Sequence, residues 1–379
     1  MITTRYVFLA LCGIAVFFVT CARAADSDAP PIAAKAYILI DADSGHVLAE
    51  QNADNKVEPA SLTKLMTGHV VFSELKAGRI KLTDTASVSE KAWRTPGSRT
   101  FLDVNSHVPI ETLLLGMIVQ SGNDATVTLA EHISGTEDAF AAAMTQHAQQ
   151  LGMRNSSFKN SSGLPDPEHY STARDLALLT RSIIHDFPEY YSWYSKKEFT
   201  YNNITQGNRN LLLYRDQSVD GVKTGHTESA GYCLIASAKR GDMRLISVVV
   251  GTKSESARAQ ESATLLNYGF RAFETHRLYE ANAALAKTRI WKGESEELAL
   301  GLPEALYITI PRGQYGNLKA NMRLPTPIFA PATQGQTIGS VIISLSGEPY
   351  MERPLIALNA VAEGSLTQRT IDDIKLWFE

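Results

Sequence analysis

Strand-like sequence in this chain comes in two blocks, far apart and separated by helix-patterned sequence, and that separation limits the folds open to it. The first block is Ala36-Tyr37-Ile38-Leu39-Ile40, the turn residues Asp43-Ser44-Gly45 and the return His46-Val47-Leu48-Ala49, which predicts a β-hairpin. The second comprises strands predicted at 219–223, 231–238 and 243–250, divided by glycine-containing turns. In between, Leu62, Leu65, Met66, Val70 and Leu75 recur at helical spacing. Residues 110–150 are rich in Leu, Ala and Met, with breaks near Ser121-Gly122-Asn123 and Ser134-Gly135. A polar loop spans 155–167, and helices follow at Arg174–Leu179 and over 254–268, the last with Ala257, Ala263, Leu265 and Leu266 on its apolar side. This order predicts an α+β fold, with a sheet assembled from both ends of the domain and helices packed on it.

After about Thr275 the texture changes to short strands between prolines and glycines, at 307–310, 338–345 and 355–360, which predicts a smaller all-β domain. The expected division is 1–24, 25–275, 276–364 and 365–379. In the last segment Ile371, Ile374, Trp377 and Phe378 can share one helical face, with Gln368, Arg369, Asp372, Asp373 and Lys375 on the other. Such a helix suits a membrane surface, or it docks on the β domain. Its acidic residues outnumber Arg369 and Lys375, so attraction to anionic lipid is weak.

At the other end, Arg5 precedes an apolar run over 7–19, and Ala22-Arg23-Ala24 offers small residues where a signal peptidase cuts. The run is short for a membrane span, so cleavage after Ala24 and export are expected, rather than an uncleaved anchor. Cys12 and Cys21 leave with that segment, Cys233 stands alone, and no internal disulfide is expected. With Arg5 and Arg23 gone, 34 Lys+Arg face 40 Asp+Glu, a net charge of −6. The chain therefore has no basic footprint for nucleic acid. Its nine scattered histidines lack zinc-ligand spacing, so neither metal nor cofactor is expected.

Three motifs carry chemistry. In Ser61-Leu62-Thr63-Lys64 the lysine stands one helical turn after the serine, and its amine can reach the hydroxyl. A serine hydroxyl needs a base within hydrogen-bond reach, and lysine serves only when burial or nearby charge leaves it neutral. The same spacing recurs at Ser73-Lys76 and Ser156-Lys159, so it proves nothing by itself. Ser121-Gly122-Asn123 offers a second hydroxyl for proton relay and an amide that can hold a peptide, or else an ordinary helix cap. Lys223-Thr224-Gly225 ends a predicted strand, where glycine leaves the edge open to an added strand and Lys with Thr suits a carboxylate. A plain strand end with a solvated lysine is the alternative.

Taken together and in this order, the three motifs resemble those of the active-site serine penicillin-recognising enzymes, over roughly residues 35–273. The chain is most similar to the low-molecular-mass penicillin-binding proteins that act as D-alanyl-D-alanine carboxypeptidases. The similarity rests on Pro59-Ala60-Ser61-Leu62-Thr63-Lys64-Leu65-Met66-Thr67, Gln120-Ser121-Gly122-Asn123-Asp124-Ala125, Val219-Asp220-Gly221-Val222-Lys223-Thr224-Gly225-His226-Thr227 and Ala230-Gly231-Tyr232. The resemblance implies a β-lactamase/transpeptidase-like domain and a reaction on peptidoglycan stem peptides. Ser61 would be acylated, Lys64 would take its proton, Ser121 would pass one to the leaving D-alanine, and Asn123 would hold the peptide. Lys223 and Thr224 would help bind the terminal carboxylate and shape the charge around Ser61, Gly225 would leave the strand edge open to the substrate, and Arg209 would face that carboxylate. The backbone N–H groups of Ser61 and His226 would form the oxyanion hole. Gly163-Leu164-Pro165-Asp166 matches a structural loop beneath the site. The resemblance also implies β-lactams as covalent inhibitors, and a periplasmic protein on the outer face of the cytoplasmic membrane. A class A serine β-lactamase of the same fold would need Glu-x-x-x-Asn in the loop before Lys-Thr-Gly, but Glu168 is followed four residues later by Thr172 here. A D,D-endopeptidase, a transpeptidase or a wall-binding scaffold would share the same residues.

Overall fold

The computed structural model describes residues 29–378. The run over 7–19, the Ala22-Arg23-Ala24 site, Cys12 and Cys21 lie outside the described residues.

The two strand blocks meet in one antiparallel sheet. Its spatial order is Val47–Gln51, Ala36–Asp41, Met243–Thr252, Gly231–Arg240 and Val219–Thr227. Alternation along each strand sends side chains to two cores. Ile38, Ile40, Ile235, Ile246 and Val248 face a helical layer that contains Leu65, Met66, Phe72, Leu113 and Phe140. Tyr37, Leu39, Leu234, Leu245 and Val249 face Leu265 and Leu266 of the Glu255–Ala272 helix. Both faces are covered, which explains why these strands read as continuous apolar runs rather than alternating ones. Each fully buried Leu or Ile contributes about 1.5–3 kcal/mol. The Val219–Thr227 strand runs past the predicted end at Lys223, so Lys223-Thr224-Gly225 lies within the strand, at the free edge of the sheet. The extension comes from pairing with the Gly231–Arg240 strand through Thr227↔Gly231, a tertiary constraint that local composition does not carry.

The longer helices between the blocks are Lys64–Lys76, Asn123–Ser134, Glu137–Gln150 and Ala173–Asp186, with the expected breaks at Ser121-Gly122 and Gly135. Thr136 and Thr172 cap two of them by accepting from Ala139 N and Asp175 N.

From Phe273 on, the regular elements among the described residues are strands, apart from one short 3-10 turn and the last helix. Ala286–Arg289, Glu297–Gly301, Glu348–Ala357, Thr337–Leu345 and Leu318–Arg323 form one sheet, and Phe273–Tyr279 pairs with Leu306–Pro311. Ile308, Ile310, Val341, Ile343 and Leu355 fill its core. Polar contacts tie this part to the first: Thr275 Oγ1 donates to Asp41 Oδ2 of the first sheet (2.7 Å), and Arg312 donates to the Phe270 carbonyl in the Glu255–Ala272 helix and to the Phe273 carbonyl just after it (2.7 and 2.9 Å).

The Leu366–Leu376 helix docks with its polar side inward. Asp372 is buried and accepts from the Lys292 backbone N–H (2.7 Å), and Asp373 pairs with Lys292 Nζ. Ile371, Ile374, Trp377 and Phe378 face solvent, the last two 87% and 85% exposed.

Candidate active site

Ser61 sits in a 3-10 turn, Ala60–Thr63, that runs directly into the Lys64–Lys76 helix. Three residues per turn place positions i and i+3 one above the other, more closely than the α-helical face expected from sequence. Lys64 Nζ lies 3.0 Å from Ser61 Oγ. The amine is buried and has two further partners, Asn123 Oδ1 at 2.7 Å and the Ser162 carbonyl at 2.9 Å. Burial, reinforced by the charge of Arg209 and opposed by Asp124, lowers its pKa from 10.5 to about 7. A neutral amine that donates its two N–H bonds to Asn123 and Ser162 keeps its lone pair for the Ser61 hydroxyl. The geometry is that of a base poised on a nucleophile.

The second motif closes the opposite wall. Ser121 ends the wide helical turn Gly116–Gln120 in a left-handed conformation, φ 66° and ψ 32°. A non-glycine residue there costs about 1–3 kcal/mol, which marks the position as one held for a purpose. Its hydroxyl does not cap the Asn123–Ser134 helix, and among the described residues it is a buried oxygen without a hydrogen-bond partner. Asn123 has both side-chain polar atoms engaged within the protein. Oδ1 accepts from Lys64, and Nδ2 donates to the Pro96 carbonyl (2.5 Å), while its backbone N–H donates to the Ser98 carbonyl (2.7 Å). Buried Asp124 collects the backbone N–H groups of Thr100, Phe101 and Leu102, so the segment after Ser98 is pinned to the same helix.

The third motif lies against the first. A Cβ on Gly225 would stand 3.1 Å from the Pro59 carbonyl oxygen and 3.3 Å from Leu62 N, so only glycine lets the edge strand pack this closely on the Ser61 turn. Lys223 is buried beneath the strand and donates to the Thr224 carbonyl (3.1 Å). Burial, with Lys64, Arg209 and Arg258 nearby, holds it well below the ordinary lysine range. Ser61, Ser121, Thr224, His226, Arg209 and Arg258 line an open cleft of about 170 Å³, and Lys64, Asn123 and Lys223 stand outside that lining. Arg209 is exposed between the buried Asn208 and Asn210, and Asn210 Nδ2 donates to the Gly221 carbonyl (2.9 Å), which ties the Arg209 turn to the edge strand. The His226 ring lies 4.0 Å from that of Tyr232.

All nine residues singled out from sequence thus come together at one place. Sequence reasoning missed Arg258, which is buried and donates to the Gly225 and Arg209 carbonyls (3.3 and 3.4 Å). The signal was present, because Arg258 stands two turns before Leu265 on the buried face of its helix, where an arginine needs partners. Glu168 points to solvent, paired with Lys159 (2.9 Å).

The geometry corresponds to a known family. The family described as D-alanyl-D-alanine carboxypeptidase (peptidase S11) matches residues 23–254. The chain belongs to the D-alanyl-D-alanine carboxypeptidase family. Residues 273–363 match a second family, the C-terminal domain of penicillin-binding protein 5. Among carboxypeptidases of this family, DacC of Escherichia coli is 46% identical over 359 residues, covering 93% of this chain and 90% of that protein. Penicillin-binding protein 5 from Haemophilus influenzae has a solved structure with a TM-score of 0.85 and 44% identity, covering 88% of this chain and 99% of that one. Penicillin-binding protein D2 from Listeria monocytogenes, solved in an ampicillin-bound form, is 31% identical with a TM-score of 0.59, covering 64% of this chain and all of that one. Helices and sheet mix in the first part of the chain, and strands dominate the second.

Proposed function

We propose that this chain is a serine-type D-alanyl-D-alanine carboxypeptidase that removes the terminal D-alanine from peptidoglycan stem peptides through an acyl-Ser61 intermediate. The observation that carries the reading is the Lys64 amine, buried, close to neutral and 3.0 Å from Ser61 Oγ. The stem lies along the free edge of the Val219–Thr227 strand, and Thr224 with the Arg209 cation receives its terminal carboxylate. Lys64 takes the Ser61 proton as Oγ adds to the carbonyl carbon between the two D-alanines. The oxyanion is received by the backbone N–H groups of Ser61 and His226. The proton returns from Lys64 by way of the Ser121 hydroxyl to the departing amide nitrogen, and the C–N bond breaks. Water then attacks the ester with Lys64 again as base, which restores Ser61 and releases the shortened peptide. Asn123 acts on the lysine, and Lys223, buried outside the cleft lining and bonded to the Thr224 carbonyl, supports the edge strand that presents Thr224.

β-Lactams enter the same path. The strained amide acylates Ser61, but the opened ring stays attached and blocks the approach of water. Glu168 faces solvent, paired with Lys159, and does not reach the ester, while the opened ring keeps away the water that Lys64 would activate, so the adduct is long-lived. The ampicillin-bound relative supports this. D-Alanine release from a peptide ending in D-Ala-D-Ala, by wild type and Ser61→Ala side by side, tests the reading. Equal release by both overturns it.

For location, we propose export after cleavage at Ala24, a catalytic unit over 25–275, an all-β unit over 276–364, and attachment of 365–379 to the outer face of the cytoplasmic membrane. No helix among the described residues is long and apolar enough to cross a membrane. The outward apolar face of Leu366–Leu376 supports a surface contact instead.

A further inference from the structure

Lys64 is aimed by two acceptors, and each belongs to a different support. Asn123 Oδ1 is oriented by the Pro96 and Ser98 carbonyls, in the segment that follows the short helix Glu90–Arg94. The Ser162 carbonyl belongs to the loop that crosses beneath the Ser61 turn. One side chain joins both supports without touching the cleft. Glu137, at the start of the Glu137–Gln150 helix and nine-tenths buried, accepts from Ser161 N (3.0 Å) and Ser161 Oγ (2.7 Å) through Oε1. Its other oxygen, Oε2, pairs with Lys91 Nζ (2.9 Å) on the Glu90–Arg94 helix. Ser161 is the neighbour of Ser162, and its own carbonyl is held by Thr67 Oγ1 (2.6 Å), one helical turn after Lys64.

We propose that Glu137 is a positioning residue for the catalytic lysine: its carboxylate fixes Ser161, and through it the neighbouring Ser162 carbonyl that accepts from the Lys64 amine, while its pair with Lys91 is an accessory link to the helix that leads into the Pro96–Ser98 segment. The inference rests on the reading of Lys64 as the base. Its physical content is that the two connections differ in kind. The Ser161 contacts are buried, short and doubly made, so they set where the Ser162 carbonyl stands. The Lys91 pair is half-exposed on the lysine side, and such pairs contribute about 0–1 kcal/mol. Removing the acceptor oxygen therefore matters more than removing the charge. Burial alone would raise the Glu137 carboxyl, but the bonds from Lys91 and Ser161 outweigh it and hold the group below its ordinary value, so it is an acceptor throughout the working range. The charged groups that act on Lys64 itself are Arg209 and Asp124, and neither bonds to Glu137.

The test compares Glu137→Ala, Glu137→Gln and Lys91→Ala in the full chain, by kcat and KM for D-alanine release and by the acid limb of the pH profile. Glutamine keeps an oxygen for Ser161 and loses the charge. Glu137→Ala is expected to lower kcat about 10- to 100-fold, the cost of a small misplacement of a reacting group, with KM within about twofold and the acid limb displaced. Glu137→Gln and Lys91→Ala are expected to stay within about threefold of wild type. A Glu137→Ala enzyme with the wild-type kcat and pH limb overturns the proposal, as does a Gln variant as impaired as the Ala variant. Thermal denaturation of all three shows that they are folded. Ser61→Ala in the same assay separates the two levels: if it still releases D-alanine, the catalytic reading has failed, whereas an inactive Ser61→Ala beside an unaltered Glu137→Ala sinks only the positioning role.

Discussion

Acylation should follow the neutral fraction of a single buried amine. With its pKa at about 7, Lys64 is half neutral near pH 7. A lysine at 10.5 would be neutral in less than about one molecule in a thousand at that pH, so burial and the neighbouring cation enrich the base form about a thousandfold, or about 4–5 kcal/mol. The assay is the acylation rate with a fluorescent penicillin from about pH 5.5 to 9, well away from saturation. Below pH 7 the rate should fall about tenfold per pH unit, and above it should level off. Arg209→Gln then supplies the perturbation, because Arg209 is the charge that ranks next after burial in depressing Lys64. Loss of a nearby positive charge favours the ammonium, so the acid limb must move to higher pH while the plateau is still reached. The variant will also bind carboxylate-bearing ligands less well, so the position of the limb is the readout, not its height. A profile flat across this range, or a limb that moves to lower pH in Arg209→Gln, would refute Lys64 as the base.

Three further outcomes are expected. Ser121→Ala should lose about 10²–10⁴ in kcat by loss of the proton relay, yet keep or gain thermal stability, because the hydroxyl it removes is buried without a partner; a stability loss on the scale of a core mutation would contradict this. Gly163→Ala should be destabilised by about 2–4 kcal/mol in denaturant unfolding and acylate slowly, since Gly163 has φ +85° and a Cβ would collide with the Ala60 carbonyl oxygen, beside the nucleophile. The full chain should bind zwitterionic vesicles in a way that salt does not abolish and that Trp377→Ala with Phe378→Ala does, because Arg369, Lys375 and Lys292 are engaged with Glu363, Glu296 and Asp373; binding that needs anionic lipid would contradict it.

Legible in the amino-acid order is whatever is local. Ser61 and Lys64 are three residues apart, and any helical turn brings them together, although the spacing does not distinguish the tighter 3-10 turn from an α-helical one. The sheet order follows from two apolar strand blocks that each need a partner. Backbone groups are invisible: the carbonyls of Ser162, Pro96 and Ser98 aim Lys64 and Asn123, and a carbonyl has no letter in the sequence. An amide can hold a peptide, which is the role the sequence suggests for Asn123, but the fold presents Lys64 and Pro96 to it first. In the second domain only the strongly apolar strands are legible. Leu318–Arg323, polar and exposed along most of its length, is a strand only because Thr337–Leu345 pairs with it. The last helix is recognisable as amphipathic, yet periodicity shows that two faces exist and not which one docks. Buried Asp372, satisfied by the Lys292 N–H, reverses the usual arrangement.

The central claim is that Ser61 is the nucleophile, and the most direct measurement is mass-spectrometric mapping of the protein after brief exposure to ampicillin. The account predicts one intact ampicilloyl adduct, carried by the peptide that contains Ser61, persisting after free drug is removed and absent from Ser61→Ala. An adduct on another residue, or an equal adduct on Ser61→Ala, would contradict it.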